Sequence, residues 1–256
     1  MSYDRQLLLA GAKRDAVLDL WEVQQYGSDS YGDADYVSIY GMRPSEWYDK
    51  GIRLLGRTAV ECTRDALGSK IGEDVAALAA RCPSVSPSLV IDPFAGSGNT
   101  LYWLLRSLPR ARGLGFELDT GVFRLTQQNL AALSWPVSFL NVDFQSGLAP
   151  VAPSADQLLI VFVAPPWGDA LDMTSSLDLA RTKPPIGEII DLLAQRFPET
   201  LLLCAIQVFE RIERASLEAV QSRFDWSTLL KYTLNAPGHN HGLLVGTRSW
   251  SPASNS

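Results

Sequence analysis

From Leu89 onward the chain alternates short apolar runs with stretches of helical periodicity, the arrangement that forces a parallel sheet whose strands are joined by crossover helices. The runs 89–91, 113–117 and 137–141 read as the first three strands, with helices expected over 98–107 and 120–133. Residues 157–163 form a continuous apolar run (QLLIVFV), as in a strand buried on both faces at the middle of such a sheet. A helix over 186–196, a fifth strand over 200–206 and a helix over 214–221 follow. Residues 226–234 and 242–248 lie close enough in sequence to pair as a terminal antiparallel hairpin. Residues 1–87 differ: helical periodicity runs through 6–23 and 56–80 without clear strands. The stretch Tyr26-Gly27-Ser28-Asp29-Ser30-Tyr31-Gly32-Asp33 reads as a loop or lid. The expected division is therefore an N-terminal extension, 1–87, acting as lid or substrate cap, and an α/β domain over 88–256.

The chain of 256 residues is 46% hydrophobic and 20% charged, the balance of a folded protein with a real core. Its net charge of −6 argues against a long nucleic-acid footprint, which calls for a basic stripe, but leaves room for a nucleotide or small-molecule substrate held in a local pocket. Cys62, Cys82 and Cys204 form no CxxC pair, so neither a disulfide framework nor a metal cluster is expected. The N-terminus lacks a signal-peptide pattern and no run reaches membrane-span length, which reads as a cytoplasmic protein without membrane attachment. Oligomeric state leaves no mark in the sequence.

The chemistry concentrates where strands end. In Asp92-Pro93-Phe94-Ala95-Gly96-Ser97-Gly98-Asn99-Thr100, glycines fall where a strand turns into a helix, so a ligand can approach the backbone. Glu117 closes the second strand about 20 residues later, where a carboxylate reaches ribose hydroxyls. A pyrophosphate-binding loop would carry a third glycine, missing here, and Asp92 would repel a diphosphate. Asp92 instead suits a cationic ligand such as the methionine end of S-adenosyl-L-methionine. After the central strand, Ala164-Pro165-Pro166-Trp167-Gly168 leaves the sheet with fixed torsions and makes a rigid rim. Trp167 offers that rim a flat face for a planar ring or a cation, unless it merely caps the core.

Together these motifs resemble those of class I S-adenosyl-L-methionine-dependent methyltransferases, and among them the amino-methyltransferases that modify exocyclic amines of nucleobases. Asn99-Thr100, Pro165-Pro166-Trp167-Gly168 and Phe139-Leu140-Asn141-Val142-Asp143-Phe144 are similar to the trimethylguanosine synthases, which methylate guanine N2 of RNA caps; Tyr48-Asp49-Lys50-Gly51-Ile52 is a fainter likeness. The resemblance spans about residues 46–210. It implies a Rossmann-like, seven-stranded, mostly parallel sheet ending in the antiparallel hairpin, with S-adenosyl-L-methionine as cofactor. It also implies that Asp92, Gly96 and Asn99 line the methionine half, Glu117 holds the ribose, and Asp143 and Phe144 meet the adenine. Phe94, Gly98, Thr100 and Leu118 complete that set. The alternative readings are a helix N-cap for Asp143 and a core aromatic for Phe144.

In the resembling enzymes an Asp, Asn or Ser stands before the two prolines and holds the target amine. Here Ala164 stands there, leaving backbone carbonyls of Ala164 or Pro165, with Trp167, as the catalytic rim. Pro166, Trp167, Gly168 and His239 are the expected substrate contacts. Asp169, Asp172, His239 and His241 are candidate assisting bases, although two histidines at i and i+2 more often decorate a solvated turn. The aromatic front, Trp21, Tyr26, Tyr31, Tyr36, Tyr40, Trp47 and Tyr48, either stacks on the substrate or packs the extension. The expected activity is methyl transfer to a nitrogen, less readily an oxygen or carbon, of a planar small molecule or nucleobase. Its rivals are an RNA-cap guanine-N2 methyltransferase, a nicotinamide oxidoreductase, and a non-catalytic partner that keeps the fold, as Ala164 would allow.

Overall fold

The computed structural model describes residues 2–84, 86–135, 137–172, 176–234 and 241–252. Seven strands, β1 (Leu89–Asp92), β2 (Arg112–Phe116), β3 (Ser138–Leu140), β4 (Leu159–Val163), β5 (Leu202–Phe209), β6 (Trp226–Tyr232) and β7 (His241–Arg248), form one sheet in the order β3-β2-β1-β4-β5-β7-β6. The first five are parallel; β7 inserts antiparallel between β5 and β6, so the terminal hairpin closes the sheet edge as the sequence predicts. β5 runs on to Phe209, past the expected 206, because β7 continues the ladder to the pair Phe209–His241.

The helices are α1 (Arg5–Leu9), α2 (Leu20–Tyr31), α3 (Pro44–Asp49), α4 (Gly56–Glu61), α5 (Asp65–Ala79), α6 (Asn99–Ser107), α7 (Thr120–Ala132), α8 (Phe144–Leu148), α9 (Ile186–Arg196) and α10 (Arg214–Gln221). Alternation along the strands sorts the core into two layers. Ile91, Val161, Val163, Cys204, Ile206 and Val208 face α9 and its neighbours, burying Ile186, Ile189, Ile190 and Leu193. Val90, Ile160, Phe162, Leu203 and Ala205 face the other way, against Leu67, Ile71 and Val75 of α5 and Leu101 and Leu104 of α6. A helix from the first 87 residues thus supplies half of one layer.

The rest of that segment has a core of its own, in which Tyr26, Val37, Ile39, Trp47 and Ile52 are completely buried and meet Ala95, Leu130 and Phe139. Three expectations are corrected here. Tyr26 to Tyr31 is helix rather than lid, ended by Gly32 at φ +70°. The helix expected over 6–23 is broken, because Asp19 starts α2 afresh with its backbone N–H on Glu22 Oε2 at 2.8 Å. The helix expected over 56–80 breaks between Glu61 and Asp65, where Thr63 turns its groups to distant partners: its carbonyl accepts from Asn99 Nδ2 at 2.8 Å and its hydroxyl donates to Gln207 Oε1 at 2.7 Å.

Candidate active site

Beyond the carboxyl end of β1 the chain makes the glycine bend, with Gly96 at φ +49° and Gly98 at φ +74°, conformations that Cβ-bearing residues enter only at a cost. Gly98 caps α6. The bend is held from below and from the side: Gly96 N–H donates to Glu117 Oε2 at 3.0 Å, and Thr126 Oγ1 donates to the Gly96 carbonyl at 2.8 Å. Glu117 itself is fixed by the Asp119 N–H on Oε1 at 2.7 Å, and Asn141 Nδ2 donates to the carbonyls of Glu117 and Leu118 at 2.7 and 3.1 Å. A Cβ built on Gly96 would meet only the Phe94 carbonyl, at 4.0 Å, so the mouth of the bend is open space.

Two carboxylates border that mouth. Asp92 is 2% exposed and, among the described residues, accepts a single hydrogen bond, from Phe94 N–H at 3.1 Å. Burial pushes its carboxyl up to about 7, with the Glu117 charge adding to the shift and the Phe94 bond opposing it. Burial also raises Glu117, against the bonds from Asp119 and Gly96. A pair of desolvated carboxylates with so few donors is an electrostatic deficit that a cation would relieve.

The adenine-side expectations fall on one wall. Phe94 and Phe144 sit with ring centroids 5.4 Å apart, both against the α9-side core. Leu118, next to Glu117, is an apolar side chain left 71% exposed. Asp143 caps α8, Oδ1 accepting from Gln145 and Ser146 N–H at 3.0 Å each; the Ser146 hydroxyl and these amides hold its carboxyl below the usual range. Asn99 is engaged elsewhere than expected. Its amide is 1% exposed and spent on the N-terminal segment, Oδ1 accepting from Tyr40 N–H at 2.6 Å and Nδ2 donating to the Thr63 carbonyl and, at 3.0 Å, to Asp65 Oδ1. Thr100 is buried in the first turn of α6.

On the other side of the cleft, Ala164 is half-buried, Pro165 buried, and Pro166 and Gly168 exposed, Gly168 at φ +47°. Trp167 is half-buried, its ring centroid 6.5 Å from Phe209 and 6.0 Å from His241. His239 lies outside the described residues. Asp169 is exposed and 3.7 Å from Lys183 Nζ. Most of the aromatic front is core: Tyr26, Tyr36, Tyr40 and Trp47 are all under 9% exposed, whereas Trp21 is 57% exposed.

Sequence reasoning misses Thr63 and Gln207 altogether, and names Tyr40 and Asn141 without the roles they take here. Tyr40 donates its hydroxyl to the Ser97 carbonyl inside the bend, Asn141 sets the turn after β2, and Thr63 and Gln207 join the N-terminal segment to β5. Only Asn141, a polar residue ending a strand, carried a local signal.

No protein-family model matches the chain, and no curated protein matches it in sequence. Solved structures do. The METTL16 methyltransferase domain superposes with TM-score 0.51 at 13% identity, over 91% of this chain and 82% of that one. A methyltransferase from Geobacter sulfurreducens matches at TM-score 0.46 and 14% identity, over 73% and 80% of the two chains. A precorrin-6y C5,15-methyltransferase from Geobacter metallireducens matches at 0.42 and 11%, over 74% and 91%. At such identities a likeness speaks of architecture alone, and with the strand order above it establishes that this chain has the Rossmann-like fold of class I methyltransferases.

Proposed function

We propose that this protein is an enzyme that transfers a methyl group from S-adenosyl-L-methionine to a nitrogen, or less readily an oxygen or carbon, of a planar small molecule or nucleobase. The observation that carries the reading is Asp92, buried with one hydrogen bond from the described residues, beside Glu117 at the open mouth of the glycine bend. That donor set fits a cationic cofactor: a nearly unpartnered buried carboxylate for the ammonium, a second carboxylate for ribose hydroxyls, and open space above Gly96. Leu118 and Phe144 would cover the adenine faces; Asp143 keeps its cap and offers its remaining acceptor capacity to an amine. A pyrophosphate beside Asp92 would be repelled, which counts against the nicotinamide alternative.

When bound, S-adenosyl-L-methionine supplies an electrophilic methyl group on a positively charged sulfur. The chain's part is positioning. Pro165 and Pro166 hold the rim without ladder hydrogen bonds, Trp167 presents a ring face to the acceptor, and the Ala164 or Pro165 carbonyl accepts a hydrogen bond from it. Functionally, residues 88–256 carry the cofactor loop and residues 1–87 brace it. The acidic net charge favours a compact acceptor over an RNA cap or other long nucleic acid.

The test is calorimetric titration with S-adenosyl-L-methionine, followed by labelled methyl transfer to RNA, nucleosides and metabolite extracts. Micromolar binding and a labelled product are expected. Absence of binding overturns the reading in favour of a non-catalytic partner, and binding of NAD instead overturns it in favour of an oxidoreductase.

A further inference from the structure

Ala164 leaves the acceptor rim with backbone carbonyls only, so the side chains at the same level of the sheet decide whether a target atom can be oriented. β4 and β5 pair in parallel up to Val163 opposite Ile206, so Ala164 and Gln207 are the residues that follow this last pair on the two neighbouring strands. Side-chain alternation fixes the face. Leu203 and Ala205 lie in the layer under α5 and α6, as do Ile160, Phe162 and Ala164, so Gln207 and Ala164 emerge on the same side of the sheet at its carboxyl edge. Asp92 follows Val90 onto that face two strands from Gln207, in the order β1-β4-β5.

Gln207 is unusual in its strand. The other residues of β5 are buried apolar side chains and a cysteine, while Gln207 is half-buried. Its carboxamide is anchored at one atom: Oε1 accepts the Thr63 hydroxyl at 2.7 Å. Thr63 is in turn held through its carbonyl by Asn99 at the foot of the cofactor bend. A carbonyl oxygen has two lone pairs, so Oε1 retains one acceptor site, and Nε2 has no hydrogen-bond partner among the described residues. A polar group with unspent capacity, braced from the side and set at the end of a buried strand, is built to meet a ligand.

We infer that Gln207 contacts the acceptor molecule and supplies from β5 the side-chain hydrogen bond that Ala164 cannot make from β4, with Thr63 as its positioning residue. The inference rests on the methyltransferase reading above. The Oε1 lone pair accepts an N–H of the target amine and so turns the nitrogen's own lone pair toward the methyl group, while Thr63 prevents the carboxamide from following the substrate.

Sinefungin tests this without knowledge of the acceptor, because it carries an amine where S-adenosyl-L-methionine carries its transferable methyl, whereas S-adenosylhomocysteine carries nothing there. Calorimetry on wild type, Gln207→Leu, Gln207→Glu and Thr63→Val gives the ratio of the two affinities. S-adenosylhomocysteine should bind all four within about twofold. Sinefungin should weaken about tenfold in Gln207→Leu, the size of a charge-assisted hydrogen bond, weaken less in Thr63→Val, and tighten in Gln207→Glu. An unchanged ratio in Gln207→Leu and Gln207→Glu, with S-adenosylhomocysteine still bound, overturns the role of Gln207 and leaves the methyltransferase reading standing. Failure of wild type to bind either ligand overturns that reading instead.

Discussion

Replacing Asp92 by asparagine isolates the charge on which cofactor binding would depend under the proposed reading. With its carboxyl pushed up to about 7, Asp92 is mostly protonated in the empty protein at acidic pH. An ammonium group binds the ionised form, so the observed affinity scales with the ionised fraction as long as binding drives the proton off. That fraction rises from roughly 3% at pH 5.5 to roughly 76% at pH 7.5, an increase of about 25-fold. The cofactor's own amine, titrating near 8, stays mainly charged over this window. Calorimetry should therefore show the S-adenosyl-L-methionine affinity of wild type rising about 25-fold between the two pH values, with one proton released on binding at pH 5.5. Asp92→Asn should be nearly flat. Methylthioadenosine, which has neither the ammonium nor the sulfonium charge, should bind both proteins equally at both pH values. A pH slope that survives in Asp92→Asn, or its absence in wild type, refutes the assignment of Asp92 to the charged end.

The same group sets a stability trend in the empty protein. Its folded-state value lies above the 3.8 of an ordinary aspartate, so its contribution is fully present below pH 4 and is lost as pH rises to about 7. The loss is at most about 4 kcal/mol, so wild type should melt lower at pH 8 than at pH 5 by more than Asp92→Asn does.

Three further substitutions probe the neighbouring parts. Trp167→Ala should leave S-adenosyl-L-methionine affinity within about twofold while slowing methyl transfer at least about tenfold in single-turnover assays with an acceptor from the labelled screen; equal losses in both would place the ring in the cofactor site. Tyr40→Phe removes the hydroxyl that bonds the buried Ser97 carbonyl and should cost about 1–3 kcal/mol in denaturant unfolding, with no change meaning that water replaces it. Gly98→Ala meets no atom closer than 3.7 Å, so its cost is the left-handed backbone alone, about 1–2 kcal/mol; a much larger loss would mean that the bend is packed more tightly than its neighbours indicate.

What the sequence disclosed follows the range of the interactions involved. Helices α9 and α10 have the expected bounds because their apolar period and flanking residues are local, and the glycine bend with Glu117 is legible because strand, turn and helix are contiguous. The short α3 and α8, of six and five residues, are too brief to display a period. The break at 62–64 and the true employment of Asn99 were hidden for another reason. The partners that settle them lie 36 residues away for Asn99 with Thr63, and 144 residues away for Thr63 with Gln207. Nothing near either residue announces a tertiary hydrogen bond, and helix propensity alone runs straight through 62–64. The aromatic front misled in the opposite sense. Its composition resembles a substrate-stacking surface, but Tyr26, Tyr36, Tyr40 and Trp47 pack with Leu8, Leu18, Val23 and Ile39 into the segment's own core.

The hydrogen bonds that eluded the sequence form one connected path. Ser97 in the cofactor bend accepts from Tyr40; the Tyr40 backbone donates to Asn99; Asn99 donates to Thr63; Thr63 donates to Gln207 at the acceptor edge. Each link joins a residue of the first 87 to one in the sheet domain; of the three members between the ends, Tyr40 and Asn99 are buried and Thr63 is half-buried. Breaking a buried link strands a polar group, which costs more than the bond contributes when made, so the path holds as a unit. On the proposed reading, the N-terminal segment braces both the bend that would hold the methyl donor and the carboxamide that would face the acceptor, and so would fix the distance between them, the quantity on which the rate of an in-line displacement chiefly depends.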